Sequence, residues 1–259
     1  MLQRRLAGVR RSRSGVALTV SGLAALKRQF RDTWLSPRYL NVLYARRALR
    51  EAAGDVKGTL LDVGCGLRPY EHVFEGRVRA HFGMDWPADG ARARPDLLGD
   101  ALRMPFADVS VDTLLATEVM EHLADPDQFL SEAARVLRPQ GALVMSVPFL
   151  EPLHEEPRDY YRFTPYGLDR LLARHGFALT RIWAKGGWWS VVVGSFIVKS
   201  LYDCANPEQR RAGGRDRWWL LPVVVPLCAL AQLTAYALDC FATSRKYALG
   251  YVVLAVRRC

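Results

Sequence analysis

Cysteines are few and form no useful pattern. The five are Cys65, Cys204, Cys228, Cys240 and Cys259. Their number is odd and no CxxC pair occurs, so neither a disulfide framework nor a zinc site is indicated, and no metal site is expected. A reducing, cytoplasmic setting is the simpler reading. Internal repeats and low-complexity tracts are also missing from the 259 residues. Half of the chain is apolar, which excludes wholesale disorder. The length suits one large domain, or one domain with an appendage. Acids are nearly absent from residues 1–50, where Asp32 stands alone against twelve Lys and Arg. The rest of the chain is close to neutral. A cationic arm of this kind suits an anionic surface, either membrane or nucleic acid. Residues 14–26 are only weakly apolar and no small-residue cleavage site follows them. We therefore expect an amphipathic or partly disordered arm rather than an export signal.

What is present is a regular alternation. Residues 28–52 read as a helix with Trp34, Leu40, Leu43, Tyr44 and Leu49 on its apolar side. Short apolar runs at residues 59–63, 80–85, 96–99, 111–116 and 142–147 read as strands. Residues 126–137 form a helical face through Phe129, Leu130, Ala133 and Leu137, ended by the turn Arg138-Pro139-Gln140-Gly141. Another helix over 166–175 and a strand over 177–184 follow. Strands alternating with helices predict an α/β fold with a doubly wound, parallel, Rossmann-like sheet. Residues 247–256 read as its last strand.

Leu60-Leu61-Asp62-Val63-Gly64-Cys65-Gly66 is a strand running into a GxG turn. Glycines are needed where the backbone bends tightly and a ligand approaches without a Cβ in the way. Asp85 closes the next strand, where a carboxylate can accept from both hydroxyls of a ribose. Together they point to a nucleoside-containing ligand. Pro69 stands where a dinucleotide site would have its third glycine, which disfavours a pyrophosphate cradle.

With these motifs the sequence resembles the class I S-adenosylmethionine-dependent methyltransferases, in the group that includes small-molecule and quinone methyltransferases. The matching pieces run in order: Asp62-Val63-Gly64-Cys65-Gly66, then Asp85, then Gly99-Asp100-Ala101, then residues 111–116 with Thr117-Glu118 and Glu121-His122-Leu123, then Arg135 to Gly141. The resemblance covers about residues 57–184. It implies S-adenosyl-L-methionine as cofactor. Asp62, Gly64, Cys65 and Gly66 would then surround its methionine part, Asp85 its ribose, and Trp86, Asp100 and Ala101 its adenine. Thr117 and Glu118 would line the pocket near the sulfonium. Leu67-Arg68-Pro69-Tyr70 departs from the family pattern, which favours small residues there.

An acceptor site is expected beyond the fourth and fifth strands, because ligands of open α/β sheets bind at the carboxyl ends of the strands. Residues 148–164 there concentrate His154, Glu155, Glu156, Asp159, Tyr160, Tyr161 and Arg162. His154 is the candidate general base, with Asp159 and Tyr160 as its catalytic company. Tyr160 and Tyr161 would wall the acceptor pocket, and Arg162 would hold a carboxylate or phosphate. The alternative is a structural lid in which Asp159 and Arg162 pair and Thr164 caps the next helix. His122 would line or cap the helix after the fourth strand.

Residues 187–201 are apolar except for Lys199, and residues 218–238 carry no charge. The second run is long enough for a bilayer core of about 30 Å, yet Pro222 and Pro226 interrupt it. A last strand in the same sheet excludes a single crossing. We expect a monotopic pair of apolar helices on the cytoplasmic leaflet, with Trp188, Trp189, Trp218 and Trp219 at headgroup level. The domains are then a basic helical arm (1–56), a cofactor-binding core (57–185), an apolar insert (186–246), and a last strand with tail (247–259). The expected activity is O-methylation of a small-molecule or lipid-linked acceptor at an anionic membrane surface. Nucleic acid is not expected as a partner, and the oligomeric state is left open. The rival readings are an NAD-dependent oxidoreductase and a non-catalytic, membrane-bound scaffold.

Overall fold

The computed structural model describes residues 33–86, 95–205, 218–241 and 246–259. Most of the cationic arm, residues 1–32, therefore lies outside the described residues, as does most of the polar bridge before Trp218.

Helix α1, Tyr39–Ala52, is the first helix among the described residues. Its start lies later than expected, and its buried stripe is Leu40, Ala45, Ala48, Leu49 and Ala52 rather than the larger Leu43 and Tyr44. Alanines let α1 lie close against the sheet. β1 (Thr59–Val63), the short α2 (Glu71–Phe74), β2 (Ala80–Asp85), β3 (Leu97–Leu98) and β4 (Val111–Thr117) follow. A 3-10 turn at Met120–His122 leads into α3, Pro126–Val136. Asp125 caps α3 by accepting from the Gln128 N–H, with Pro126 in the first turn. β5 (Leu137–Pro148), α4 (Pro165–Arg174) and β6 (Phe177–Lys185) complete the motif-bearing region.

The strands form one seven-stranded sheet in the order β3-β2-β1-β4-β5-β7-β6, with β7 being Gly250–Arg257. The expectation of an all-parallel sheet fails at β7, which runs antiparallel to both β5 and β6. Arg138 to Gly141 are part of β5, not a turn before it; the register against β4 shifts there and Gln140 takes a positive φ. The irregularity absorbs the proline and glycine.

Each sheet face carries its own core. Phe129, Leu130, Ala133 and Val136 of α3 pack with Leu168 and Leu172 of α4 on one side. Ala45, Leu49 and Ala52 of α1 pack with Phe74 and Leu60 on the other. Each fully buried large side chain contributes about 1.5–3 kcal/mol.

Between β6 and β7 the apolar insert forms a π-helical run, Ser190–Val198, continuing as α5 (Lys199–Ala205), then a 3-10 turn at Trp218–Leu220 and α6, Leu221–Asp239. Pro222 sits in the first turn of α6, where its missing N–H costs nothing, and Pro226 lies within the helix. The two limbs are tied at their base. The Asp239 carboxylate accepts from the N–H groups of Gly187, Trp189 and Ser190. Buried Gln232 donates to the carbonyls of Trp34 and Ser36, which fixes α6 to the chain entering α1. Val223, Leu227 and Leu230 are more than half exposed, and their spacing puts them on one face of α6.

Candidate active site

Beyond the carboxyl ends of β1 and β2 the chain builds a cavity of about 700 Å³. Gly64 and Gly66 turn the chain with φ of 65° and 51°. A Cβ on Gly64 would lie 2.5 Å from a Val119 methyl, whereas one on Gly66 would point into open space. Bare backbone therefore walls the cavity at Gly66. Asp85 holds this turn: its carboxylate accepts from the Gly66 N–H at 2.9 Å and from the Trp86 N–H at 2.8 Å. Trp86, Asp100 and Ala101 line the same cavity. Asp100 accepts from the Leu102 N–H. Behind that loop, Glu132 of α3 accepts from the Met104 N–H and from a fork of Arg135. The Arg135 bonds, against the opposing effect of burial, keep the Glu132 carboxyl below its usual range.

Asp62 and Cys65 stand differently. Asp62 is buried behind the turn, 3.3 Å from the His81 ring, and burial pushes its carboxyl up. Burial also pushes the Cys65 thiol up to about 12, so it carries no thiolate. The bulky Arg68 folds away from the cavity floor: its guanidinium pairs with Asp96 and lies over Gly83, where a Cβ would come within 2.6 Å of it. Tyr70 turns into the core on the α1 side.

A second cavity, of about 330 Å³, adjoins the first. Gly64, Gly66, Glu118, His122 and Glu155 line both. Its other walls come from far along the chain: Arg38 just before α1, Asn41 of α1, Glu151, and Ser195 and Lys199 of the apolar insert. Thr117 and Cys65 also line it. At its base the Glu118 carboxylate accepts from Ser146 Oγ at 2.6 Å and from Lys185 Nζ at 2.7 Å. Burial alone would raise this carboxyl, but the Lys185 charge overrides it and holds it below the usual range. Lys185 is fully buried at the end of β6. Gly250 makes room for it, since a Cβ there would lie 2.5 Å from Lys185 Cε. Glu151 accepts from the Asn41 amide at 2.6 Å, and burial pushes its carboxyl up.

The segment after β5 borders this cavity. Arg162 grips both oxygens of Asp159, at 2.5 and 2.7 Å, and also donates to the carbonyls of Glu151, Pro152 and Tyr161. This fork holds the Asp159 carboxyl down at about 2. Arg162 is thus committed to shaping the loop, and Thr164 caps α4 by accepting from the Gly167 N–H. The Asp159–Arg162 pair and the cap expected of a structural lid are both present. Asp159 in turn accepts from the His154 backbone N–H at 2.9 Å, with the His154 ring 3.4 Å away. Burial lowers the His154 pKa, against the raising effect of Asp159, so the ring is neutral near pH 7. Half-exposed Tyr160 lines the larger cavity, and the Tyr161 hydroxyl donates to the Ala124 carbonyl.

His122 lies on the 3-10 turn rather than on a longer helix, and its ring meets that of His154 edge to face, with centroids 5.0 Å apart. Between them sits Glu121, fully buried. Burial, then the neighbouring Glu118 carboxylate, hold the Glu121 carboxyl well above its usual range.

The structure thus gathers Gly64, Gly66, Asp85, Trp86, Asp100, Ala101 and Glu118 around the larger cavity, and Thr117, Glu118 and His154 around the smaller one. Asp62 and Asp159 stand one layer behind. Lys185, Ser146, Glu151, Asn41 and Gly250 were not singled out from the sequence, and Glu121 entered only as part of the Glu121-His122-Leu123 match. Glu121-His122 after the fourth strand was the nearest signal. No pattern joins Lys185 or Asn41 to it.

Residues 61–145 match the methyltransferase domain family. A Mycolicibacterium smegmatis protein named "Probable S-adenosylmethionine-dependent methyltransferase" is 35% identical over 137 residues, covering 50% of this chain and 49% of that protein. An uncharacterized methyltransferase of Mycobacterium tuberculosis is 28% identical over 190 residues, covering 64% of this chain and 70% of that one. The match thus spans about half the length of the first of these relatives. Among solved structures, a chain of the Haloferax volcanii complex containing the Trm112 methyltransferase activator aligns with a TM-score of 0.54 at 18% identity. That alignment covers 96% of this chain and 100% of that chain, and it speaks for the fold alone.

Proposed function

We propose that this chain, which carries a class I S-adenosylmethionine-dependent methyltransferase domain, methylates an amphipathic or lipid-linked small molecule or glycan at the cytoplasmic face of a membrane. One observation carries the reading: a cavity walled by the glycine turn, Asp85 and Asp100 shares the Gly64–Gly66 and Glu118 wall with a second, smaller cavity. Methyl transfer is an in-line displacement, so two pockets meeting at one wall are what it requires of the protein.

S-adenosylmethionine is the cofactor of this domain, and the larger cavity fits it. At about 700 Å³ it is within the range of small-molecule sites. Gly66 leaves open the space that a Cβ would fill. Each Asp85 oxygen accepts one backbone bond and keeps further capacity for a ribose hydroxyl. Asp85 would hold the ribose; Trp86, Asp100 and Ala101 the adenine; Gly64 and Gly66 the methionine part. When bound, the cofactor supplies a methyl group on a sulfonium, already attached to a good leaving group.

The chain's own residues then have two tasks. Glu118, kept ionised by Lys185, places negative charge at the shared wall. His154 activates the acceptor. It is neutral near pH 7, and its Nδ1 faces acceptors on Asp159 and Pro152, which leaves Nε2 with a free lone pair. A group of this kind suits an oxygen acceptor whose proton must leave, so O-methylation is the favoured outcome. Tyr160 borders the entrance.

The apolar insert supports a membrane-facing acceptor. Leu221–Asp239 is long and apolar enough to reach into a bilayer, and only 22% of its most apolar window is buried. The exposed Val223, Leu227 and Leu230, with Phe196, Ile197 and Leu201 on the other limb, offer an apolar surface. The same insert lends Ser195 and Lys199 to the smaller cavity, so an acceptor reaching that cavity passes beside this surface. The arm of residues 1–32 would add attraction to anionic lipid.

Calorimetry of the purified protein in mild detergent tests the cofactor: micromolar binding of S-adenosylmethionine or S-adenosylhomocysteine is expected, and a folded protein that binds neither would sink the reading. His154→Ala should lower turnover with cofactor affinity kept; normal turnover would reduce His154 to part of a lid. Deleting residues 1–27 should weaken binding to anionic vesicles, and undiminished binding would place the anchor in the insert alone.

A further inference from the structure

Three potential metal-ligating side chains converge beside the smaller cavity with no hydrogen bond to the buried carboxyl among them. Glu121 is fully buried, and neither of its carboxylate oxygens accepts a hydrogen bond. Its Oε1 lies 3.8 Å from His122 Nε2 and 3.9 Å from His154 Nε2. These ligand atoms all lie within 4.8 Å of one another. A buried carboxyl group left without a hydrogen-bond partner costs about 1–3 kcal/mol, so the arrangement calls for something that the described residues do not supply.

The outer contacts of the two rings say what that is. His122 Nδ1 lies 2.6 Å from the Arg158 carbonyl, which can only accept, so Nδ1 carries the proton and Nε2 a lone pair. His154 Nδ1 faces the Asp159 carboxylate and the Pro152 carbonyl, both acceptors, which fixes the same tautomer. Both Nε2 lone pairs are therefore available to a ligand, and both nitrogens lie within 4 Å of the Glu121 carboxyl. A histidine whose far nitrogen donates to a carbonyl or carboxylate is the usual setting of a metal ligand. Glu155 Oε2, at the mouth, stands 3.8 Å from His122 Nε2 and is the fourth group in reach.

We propose that Glu121, His122 and His154 bind a divalent first-row transition-metal ion, with Glu155 closing the site from the solvent side. Two imidazoles and one carboxylate suit such an ion and leave coordination positions open. Ligands about 2.1 Å from an ion stand about 3 to 3.5 Å apart, so the site closes by a contraction of about 1 Å. His122 and Glu155 line both cavities. The open positions would therefore hold an oxygen of the acceptor next to the shared wall; with the ion bound, His154 Nε2 is occupied as a ligand, and the ion in place of the imidazole base would ease loss of the acceptor's proton. That role, though not the binding itself, rests on the methyltransferase reading.

The test titrates chelator-treated, full-length protein with Co²⁺, followed by visible absorption, with Zn²⁺ as competitor. One equivalent of Co²⁺ should bind with a d–d spectrum of nitrogen and oxygen ligation and be displaced by Zn²⁺. Glu121→Gln and His154→Ala should each weaken binding at least tenfold, the lower bound set by losses of even outer contacts. Glu155→Gln, at an exposed position, guards against misfolding and should weaken binding to a smaller degree. No binding by the wild type, or binding that none of the three substitutions changes, would overturn the proposal. S-adenosylhomocysteine calorimetry on the same samples separates the two readings: Co²⁺ binding without it keeps the metal site and removes the methyltransferase role, and the converse removes only the metal site.

Discussion

In the larger cavity the acids are satisfied by backbone. Asp85 accepts from the Gly66 and Trp86 N–H groups and Asp100 from that of Leu102. On the other side of the shared wall, Glu118, Glu121 and Glu151 gather near one buried cation, Lys185. A site walled by backbone needs glycines and acids at set distances along a short stretch of chain. A site walled by side chains needs charges that balance, and these arrive from the chain before α1, from the segments that follow β4 and β5, from β6 and from the insert. The first kind tolerates change in its surroundings. The second fails when one partner is lost.

The sharpest way to break this contrast is Lys185→Met. It leaves the partly buried Glu118 carboxylate without its cation and should destabilise the fold by about 3 kcal/mol at neutral pH, the lower end for a buried pair. In the wild type, Glu118 lies below its ordinary range, so its contribution is present above about pH 4 and lost as pH falls further. In the variant the sign reverses: Glu118 takes up a proton more readily folded than unfolded, and stability should recover as pH falls toward 5. Urea unfolding at pH 7.5 and pH 5 checks both statements.

Asp85→Ala attacks the other side. It removes the acceptor of two N–H groups and the proposed ribose contact, and should weaken cofactor binding about 100-fold, or about 2.7 kcal/mol, by calorimetry. Unchanged affinity would take Asp85 out of the site.

These two variants also mark what was legible in the sequence. Asp85 was, because strand, glycine turn and acid are close along the chain and the backbone does most of the work. The sheet was legible for the same reason, apart from its direction at β7: an apolar run reads the same in either direction. Lys185 was not. It is one lysine at the end of a strand, and its meaning comes from Glu118 and from the missing side chain of Gly250, each far from it in sequence. Arg162 misled because a cation among aromatics suggests an anion site, whereas its fork is filled by Asp159 three residues away.

Smaller effects sharpen the comparison further. Glu132→Gln should loosen the Met104 loop beside Asp100 and cost about 2 kcal/mol at neutral pH. Because the Arg135 bonds hold the Glu132 carboxyl below its usual range, the difference from wild type should vanish as pH falls below about 4. A loss that persists in acid would mean that the charge is not what matters. Thr164→Ala removes only the α4 cap on the side-chain-walled side and should cost about 1 kcal/mol in urea, with cofactor affinity unchanged.

The position of β7 sets an order of events during synthesis. Among the described residues β6 is hydrogen-bonded in the sheet to β7 alone, and residues 186–249 separate the two. Until residues 250–257 leave the ribosome, β6 has no strand to join and β5 has an open edge. The apolar insert is made in that interval, before the sheet is complete. A nascent chain in this state offers its apolar limbs to a membrane or a chaperone first, and the last strand then locks in whatever placement they have found.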